Sequence, residues 1–227
     1  MKRLLILTAA VVLVAVSRTS WAGTLNLSTG QDASGNIICP APGSCAAQGS
    51  NDANWTVDLQ SGGTGPAQVL ANNSADWGGG SWVANSSSSD WIGRNAGNCC
   101  NGPAPYSFYY TFTLTAADLS TASMSGLWTI DDQGILSLNG NTISSLGGGN
   151  WGSLFAFSVA AGSSDFVLGV NTLKMTITSD DDFLEGADLT GTLSGLTTAT
   201  PEPSSLLLFG TGMLGIAGLF GRKLLGS

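Results

Sequence analysis

The sequence predicts an all-β fold: a single antiparallel β-sandwich flanked by an N-terminal signal helix and a C-terminal hydrophobic helix. Three observations predict it. Tyr106, Phe108, Tyr110, Phe112 and Leu114 alternate with Ser107, Tyr109, Thr111 and Thr113, the period of two of a half-buried strand. Asn139-Gly140 joins the apolar run Ile135–Leu138 to Asn141–Ile143 as a hairpin, because both turn residues tolerate the positive φ of a type I′ turn. Turn formers recur about every ten residues, which suits a sandwich and not an alternation of strands and helices.

The elements follow in order. Before Tyr106 the chain is rich in Gly, Asn, Ser and Ala, with short strands expected around Thr24–Leu27, Trp55–Leu59, Ala67–Leu70, Ser81–Ala84 and Trp91–Gly93. Gly78-Gly79-Gly80 and Ser86–Ser89 separate them as turns. After the aromatic strand, Met124, Gly126, Trp128 and Ile130 alternate in the same way. Ser153–Val159 is a further strand. Phe166–Val170 and Leu173–Ile177 read as two strands about Gly169 and Asn171, and Ala187–Leu196 closes the domain. No helix of ordinary length and no internal repeat is expected inside it.

The two ends differ from this middle. Met1, Lys2 and Arg3 precede an apolar run from Leu4 to Val16, and Ser20-Trp21-Ala22 places small residues at the first and third positions of a cleavage site. This is the pattern of a secretory signal peptide over residues 1–22, with the mature chain beginning near Gly23. The run is too short to span a bilayer comfortably. At the other end, residues 201–227 hold Pro201-Glu202-Pro203-Ser204, an apolar run from Ser205 to Gly221, and then Arg222 and Lys223. About 18 residues at about 1.5 Å rise approach the hydrocarbon thickness of a membrane. The basic pair is left cytoplasmic by the positive-inside rule, which puts the domain outside.

Those three parts in that order resemble the PEP-CTERM sorting signal of Gram-negative bacteria that secrete exopolysaccharide. The resemblance implies an exosortase-type membrane peptidase as partner, an intermediate held in the inner membrane by the C-terminal helix, and release to the cell surface or extracellular matrix. Leu224–Ser227, beyond the basic pair, depart from the pattern. A plain uncut anchor is the alternative.

Between the ends, residues 23–200 are enough for one domain with a sizeable core. Arg94 and Lys174 stand against fourteen acidic side chains there, a formal charge of −12. Nucleic acid is excluded as a partner, because phosphates need Lys and Arg. A cation or a neutral sugar fits this balance, and so does solubility alone. The chain has no histidine, which removes Ser–His and Cys–His catalysis and the commonest zinc ligand. Paired-carboxylate hydrolysis stays open. Cys39, Cys45, Cys99 and Cys100 are expected to form disulfides in an oxidising compartment, with three pairings open.

Trp82-Val83-Ala84-Asn85, Ser89-Asp90-Trp91-Ile92-Gly93, Pro105-Tyr106, Gly126-Leu127-Trp128, Leu138-Asn139-Gly140 and Gly169-Val170-Asn171-Thr172-Leu173 resemble a domain that recurs ahead of PEP-CTERM tags. The pattern is similar to jelly-roll sandwiches of the galactose-binding-like type, over roughly residues 80–195. It implies architecture and names no ligand. Cys99-Cys100 and the acidic segment Asp180–Glu185 depart from it.

Three candidate sites follow. Asp180, Asp181, Asp182, Glu185 and Asp188 are hard oxygen donors of the kind calcium takes, though not at EF-hand spacing, and a solvated acidic loop is the simpler reading. Asp131-Asp132 is first a turn and secondly a ligand pair. Trp77 and Trp151 sit beside Gly78 and Gly152 and could stack on a sugar ring, whereas Trp91 and Trp128 belong to the core. The expected function is non-enzymatic association with the extracellular polysaccharide matrix, with glycan or calcium bound. A carboxylate-dependent polysaccharide hydrolase and a purely structural envelope protein are the alternatives.

Overall fold

A computed structural model describes residues 22–40, 47–70, 82–95, 104–179 and 185–197. The signal segment and the sorting segment, with Pro201, Glu202, Pro203, Arg222 and Lys223, lie outside the described residues. So do Trp77, Cys45, Cys99, Cys100, Asp180, Asp181 and Asp182.

The described residues of the unit Ala22–Thr197 are all β. Its strands are β1 (Ala22–Asn26), β2 (Asn51–Asp58), β3 (Thr64–Val69), β4 (Ile92–Gly93), β5 (Tyr106–Leu114) and β6 (Ser123–Asp131). Then come β7 (Gln133–Leu138), β8 (Asn141–Leu146), β9 (Phe155–Val159), β10 (Gly169–Ser179) and β11 (Gly186–Thr197). Every pairing is antiparallel, in the order β8-β7-β10-β5-β2-β3-β4-β11-β6-β9, with β1 beside β11. The sheet folds over on itself, so that β6 meets β7 and β8 meets β9. One layer is built on β5 and β10, the other on β11 and β6.

Period-two patterning decides what lies between the layers. Tyr106, Phe108, Tyr110, Phe112 and Leu114 of β5 all point inward and are buried, as are Leu173, Met175 and Ile177 of β10. Met124, Trp128, Ile130, Leu189 and Leu193 supply the other layer of the same core. Trp55, Trp91 and Trp128 are fully buried, and each indole N–H still finds an acceptor: the Leu27 carbonyl, the Val83 carbonyl and Ser144 Oγ. The hairpin between β7 and β8 turns at Asn139 and Gly140 with φ of 53° and 89°, as Asn-Gly requires.

Two expected strands are not formed as read. Residues 82–86 carry no ladder: the Val83 N–H donates to the Trp151 carbonyl, and the Trp82 ring stacks on Trp91 at 3.8 Å. Side-chain anchoring has replaced strand pairing. Nor do Gly169 and Asn171 separate two strands. Residues 169–179 run as one strand, because Asn171 is an inward position in phase with Leu173, Met175 and Ile177.

The last residue of β11 is tied down by a single carboxylate. Asp118, 4% exposed, lies in the turn after β5. Its Oδ1 accepts from the Thr197 N–H and hydroxyl, both at 2.6 Å, and its Oδ2 from the Thr115 N–H and hydroxyl at 2.7 and 2.6 Å. Burial opposes ionisation there, but these four donors outweigh it and hold the carboxyl well below its ordinary range. The group is charged in the folded protein at pH values where the unfolded chain is already protonating. Its contribution is therefore present above the ordinary carboxylate pKa of 3.8 and is lost as pH falls below it. Asp118→Ala is expected to destabilise the domain by about 3 kcal/mol, measured by urea unfolding at pH 7. The cost should shrink at pH values below 3.8.

Candidate functional site

The outer face of the β1–β11–β6 layer is a polar shelf. Side chains alternate across strands, so the residues between the inward Leu25, Leu193 and Met124 all face out. Asn26, Thr192, Ser125 and Ser158 stand in one row, cross-strand neighbours on β1, β11, β6 and β9. Thr190 and Leu127 continue the next row, where Ser28 Oγ lies 3.4 Å from Thr190 Oγ1. Gly126 and Gly191 occupy the inward phase between the rows. A Cβ on Gly126 would lie 2.3 Å from the Thr190 carbonyl oxygen and 2.8 Å from the Phe157 ring, so this close strand approach needs glycine.

Two loops wall the shelf. Residues 31–40 form a small irregular hairpin in which Gln31 bridges to Ile37 and Asp32 Oδ1 accepts from the N–H groups of Ser34 and Asn36. Ser87 and Ser88 come from the turn before β4. Together shelf and walls enclose an open groove of about 860 Å³, within the size range of ligand sites. Its lining includes Thr24, Asn26, Asn36, Ser125, Thr190 and Thr192, with Ile37, Pro40 and Leu127 as apolar patches. Among the described residues no charged side chain lines it, although the domain carries fourteen acidic residues. The signal in the sequence was the polar phase of β6 and β11, which reads as ordinary solvent-facing alternation until the loops are placed.

Beneath the wall lies a buried acidic group. Asp52, Asp90 and Asp188 are 3%, 0% and 1% exposed. The Gly30 N–H donates to Asp52 Oδ2 at 2.6 Å, and the Cys39 N–H to Asp90 Oδ2 at 2.6 Å, so the 31–40 hairpin hangs from two carboxylates. The Thr29 hydroxyl contacts the Asp90 carbonyl at 2.6 Å and Asp188 Oδ1 at 3.3 Å. Asp90 Oδ1 has no hydrogen-bond partner. Burial pushes Asp90 up to about 7, opposed by the Cys39 N–H and reinforced by the charges of Asp188 and Asp52. Burial likewise pushes Asp188 up to about 6 against hydrogen bonds from Ser89 and Thr29. It raises Asp52 against four backbone N–H groups. Gly30 (φ +80°) passes so close that a Cβ would sit 2.3 Å from Asp90 Cβ. Gly30→Ala should therefore destabilise by more than about 2 kcal/mol and lower the melting temperature in calorimetry.

The other candidate residues are dispersed. Of the acidic set proposed from sequence, Asp188 faces Thr29 and Ser89 in the buried group, and Glu185 is buried just before β11. Among the described residues, no three His, Cys, Asp or Glu side chains gather in a way that could hold a metal ion. Asp131 is buried and accepts from the Trp82 indole N–H at 2.6 Å, which fixes the Trp82–Trp91 stack. Trp151 is half-buried in the loop after β8, at the end of the domain where Asp131 and Glu185 lie, and takes no part in the groove. Cys39 is buried and disulfide-bonded, with its partner outside the described residues.

Comparison with known proteins identifies one feature of the chain outright. Residues 199–223 match the PEP-CTERM protein-sorting motif, the signal of an exported protein that passes to an exosortase through a membrane-anchored intermediate. No curated protein matches the sequence. Among solved structures, the domain is similar to a family 35 carbohydrate binding module from Clostridium thermocellum, at 14% identity and TM-score 0.28 over 46% of this chain and 77% of that one. It is also similar to the CBM36-1 domain of a multidomain xylanase from the hindgut metagenome of Trinervitermes trinervoides, at 12% identity and TM-score 0.29 over 79% and 100%. A third is the CBM35 from Cellvibrio japonicus Abf62, at 14% identity and TM-score 0.31 over 80% and 99%.

Proposed function

We propose that this exported, exosortase-sorted protein is a non-enzymatic component of the extracellular polysaccharide matrix, and that it holds a neutral glycan in the groove on β1, β11 and β6. One observation carries the reading. In a domain of formal charge −12, the described residues that line the groove present hydroxyl and amide side chains and no charged one. Hydroxyls and amides both donate and accept, which matches the hydroxyl array of a sugar. Ile37, Pro40 and the 41%-exposed Leu127 supply apolar contact for its C–H faces. The surrounding negative charge disfavours uronic-acid polymers and leaves neutral ones. A hydrolase acting in this groove would need two carboxylates facing each other across it, and there is no carboxylate among the described lining residues.

The test is a titration of residues 23–200 with neutral and acidic oligosaccharides. Neutral ones are expected to bind and uronates not to. Binding of neither would leave a purely structural role.

A further inference from the structure

Three of the exposed large apolar side chains among the described residues sit together where the loop after Phe166 enters β10. Val167 is 41% exposed, Leu168 64% and Val170 66%. The loop is not loose. Asn171, fully buried, donates from Nδ2 to the Val167 and Gly169 carbonyls at 2.7 and 3.0 Å, and its Oδ1 accepts from the Val167 N–H at 2.9 Å. Asn139 Nδ2 reaches both Asn171 Oδ1 and the Asp165 carbonyl. Phe166, 5% exposed, roots the loop in the core. Gly169 at φ +88° makes the bend that turns its neighbours outward. Buried polar bonds thus hold three aliphatic side chains in solvent, an arrangement that marks an interaction surface.

The position of the loop indicates the occupant. Gly169 pairs with Leu114, the last residue of β5. The turn that follows carries Asp118, which holds Thr197 at the end of β11. The apolar loop and the exit of the chain toward the sorting motif therefore lie at the same pole. From Thr197 to Ser205, where the apolar run of the tag begins, are eight residue steps, at most about 28 Å of extended chain. While the tag is uncut, this pole cannot move further than that from the membrane surface.

We propose that Val167, Leu168 and Val170 insert into the outer surface of the bilayer that anchors the sorting intermediate, seating the domain pole-down on zwitterionic lipid. The partner is lipid and not a cationic or anionic protein face: the three side chains offer no charge, and Asp165 and Asp118 nearby disfavour anionic headgroups. Covalent tethering supplies the high local concentration that makes three aliphatic side chains sufficient. Cutting the tag removes the tether, so the same contact becomes weak and the mature domain leaves the membrane.

The test uses the full chain, tag intact, in phosphatidylcholine–phosphatidylethanolamine vesicles. Leu168→Trp and, at the opposite pole, the exposed position Gln133→Trp report through quenching by brominated acyl chains, with the native tryptophans subtracted using the unsubstituted chain. Both positions are at the surface, so folding is retained and is checked by melting temperature. The expected result is a blue-shifted Leu168→Trp emission and at least threefold stronger quenching than for Gln133→Trp. Equal quenching at the two positions overturns the proposal. So does a blue shift that depends on protein-to-lipid ratio, which would make the occupant a second copy of this chain. Neither result bears on glycan binding, which uses a different face.

Discussion

Lowering the pH from about 8 to about 5 is expected to stabilise the domain by about 4 kcal/mol, raising its melting temperature by about 10 °C. The origin is the buried group Asp52, Asp90 and Asp188. In the folded protein Asp90 titrates near about 7 and Asp188 near about 6, both above the ordinary value of 3.8. Above these values Asp90 and Asp188 are charged in both states, and the folded state carries the cost of burying those charges. As pH falls through about 7 and about 6, the folded state takes up protons that the unfolded state does not. Stability therefore rises with falling pH until the unfolded carboxylates protonate near 3.8. Below that, Asp118 acts with the opposite sign, so the optimum lies between about pH 4 and 5. Asp90→Asn should flatten the slope and raise the melting temperature at pH 8, since the amide oxygen still accepts from Cys39. A melting temperature independent of pH between 5 and 8 would contradict this reading of the cluster. A pH dependence that vanishes only when calcium is added would mean that a cation, and not protons, neutralises it.

Most of the sandwich was legible in the sequence because period-two alternation is a local signal. It located β5 to the residue, β6 to within a residue at each end, and the Asn139-Gly140 turn between β7 and β8. It misread Ser81–Ala84 as a strand: Trp82 is held instead by its stack on Trp91 and by Asp131, which lies 49 positions further along the chain. It split β10 because Gly169 and Asn171 are turn formers, and only burial reveals Asn171 as the inward clamp of a loop. The site was less legible for the same reason. Asp188 was visible as one of a run of acids, but Asp52 and Asp90 lie 136 and 98 positions before it. Only the register of β11 and the 31–40 hairpin bring them together. The groove is assembled from hydroxyls on β1, β6 and β11, each of which looks like unremarkable surface on its own strand. Trp77 and Trp151 stood out because tryptophan is conspicuous beside glycine; Trp151 takes no part in the groove, and Trp77 is outside the described residues.

Ser125 and Thr192 face each other across β6 and β11 at the middle of the shelf. A carboxylate at either position would be exposed, so the fold is retained, yet it would place charge where a neutral sugar needs a hydroxyl partner. Each of Ser125→Glu and Thr192→Glu is expected to weaken binding at least tenfold, about 1.4 kcal/mol. Thr111→Glu, at an exposed position on β5 in the other layer, should leave binding unchanged.

The most direct measurement is affinity electrophoresis of residues 23–200 and the Ser125→Glu/Thr192→Glu double variant through gels containing a neutral polysaccharide. The unsubstituted domain is expected to be retarded and the double variant to migrate freely, after correction for its added charge in a polysaccharide-free gel. Equal retardation of the two would place any glycan contact elsewhere on the domain and contradict the assignment of the groove.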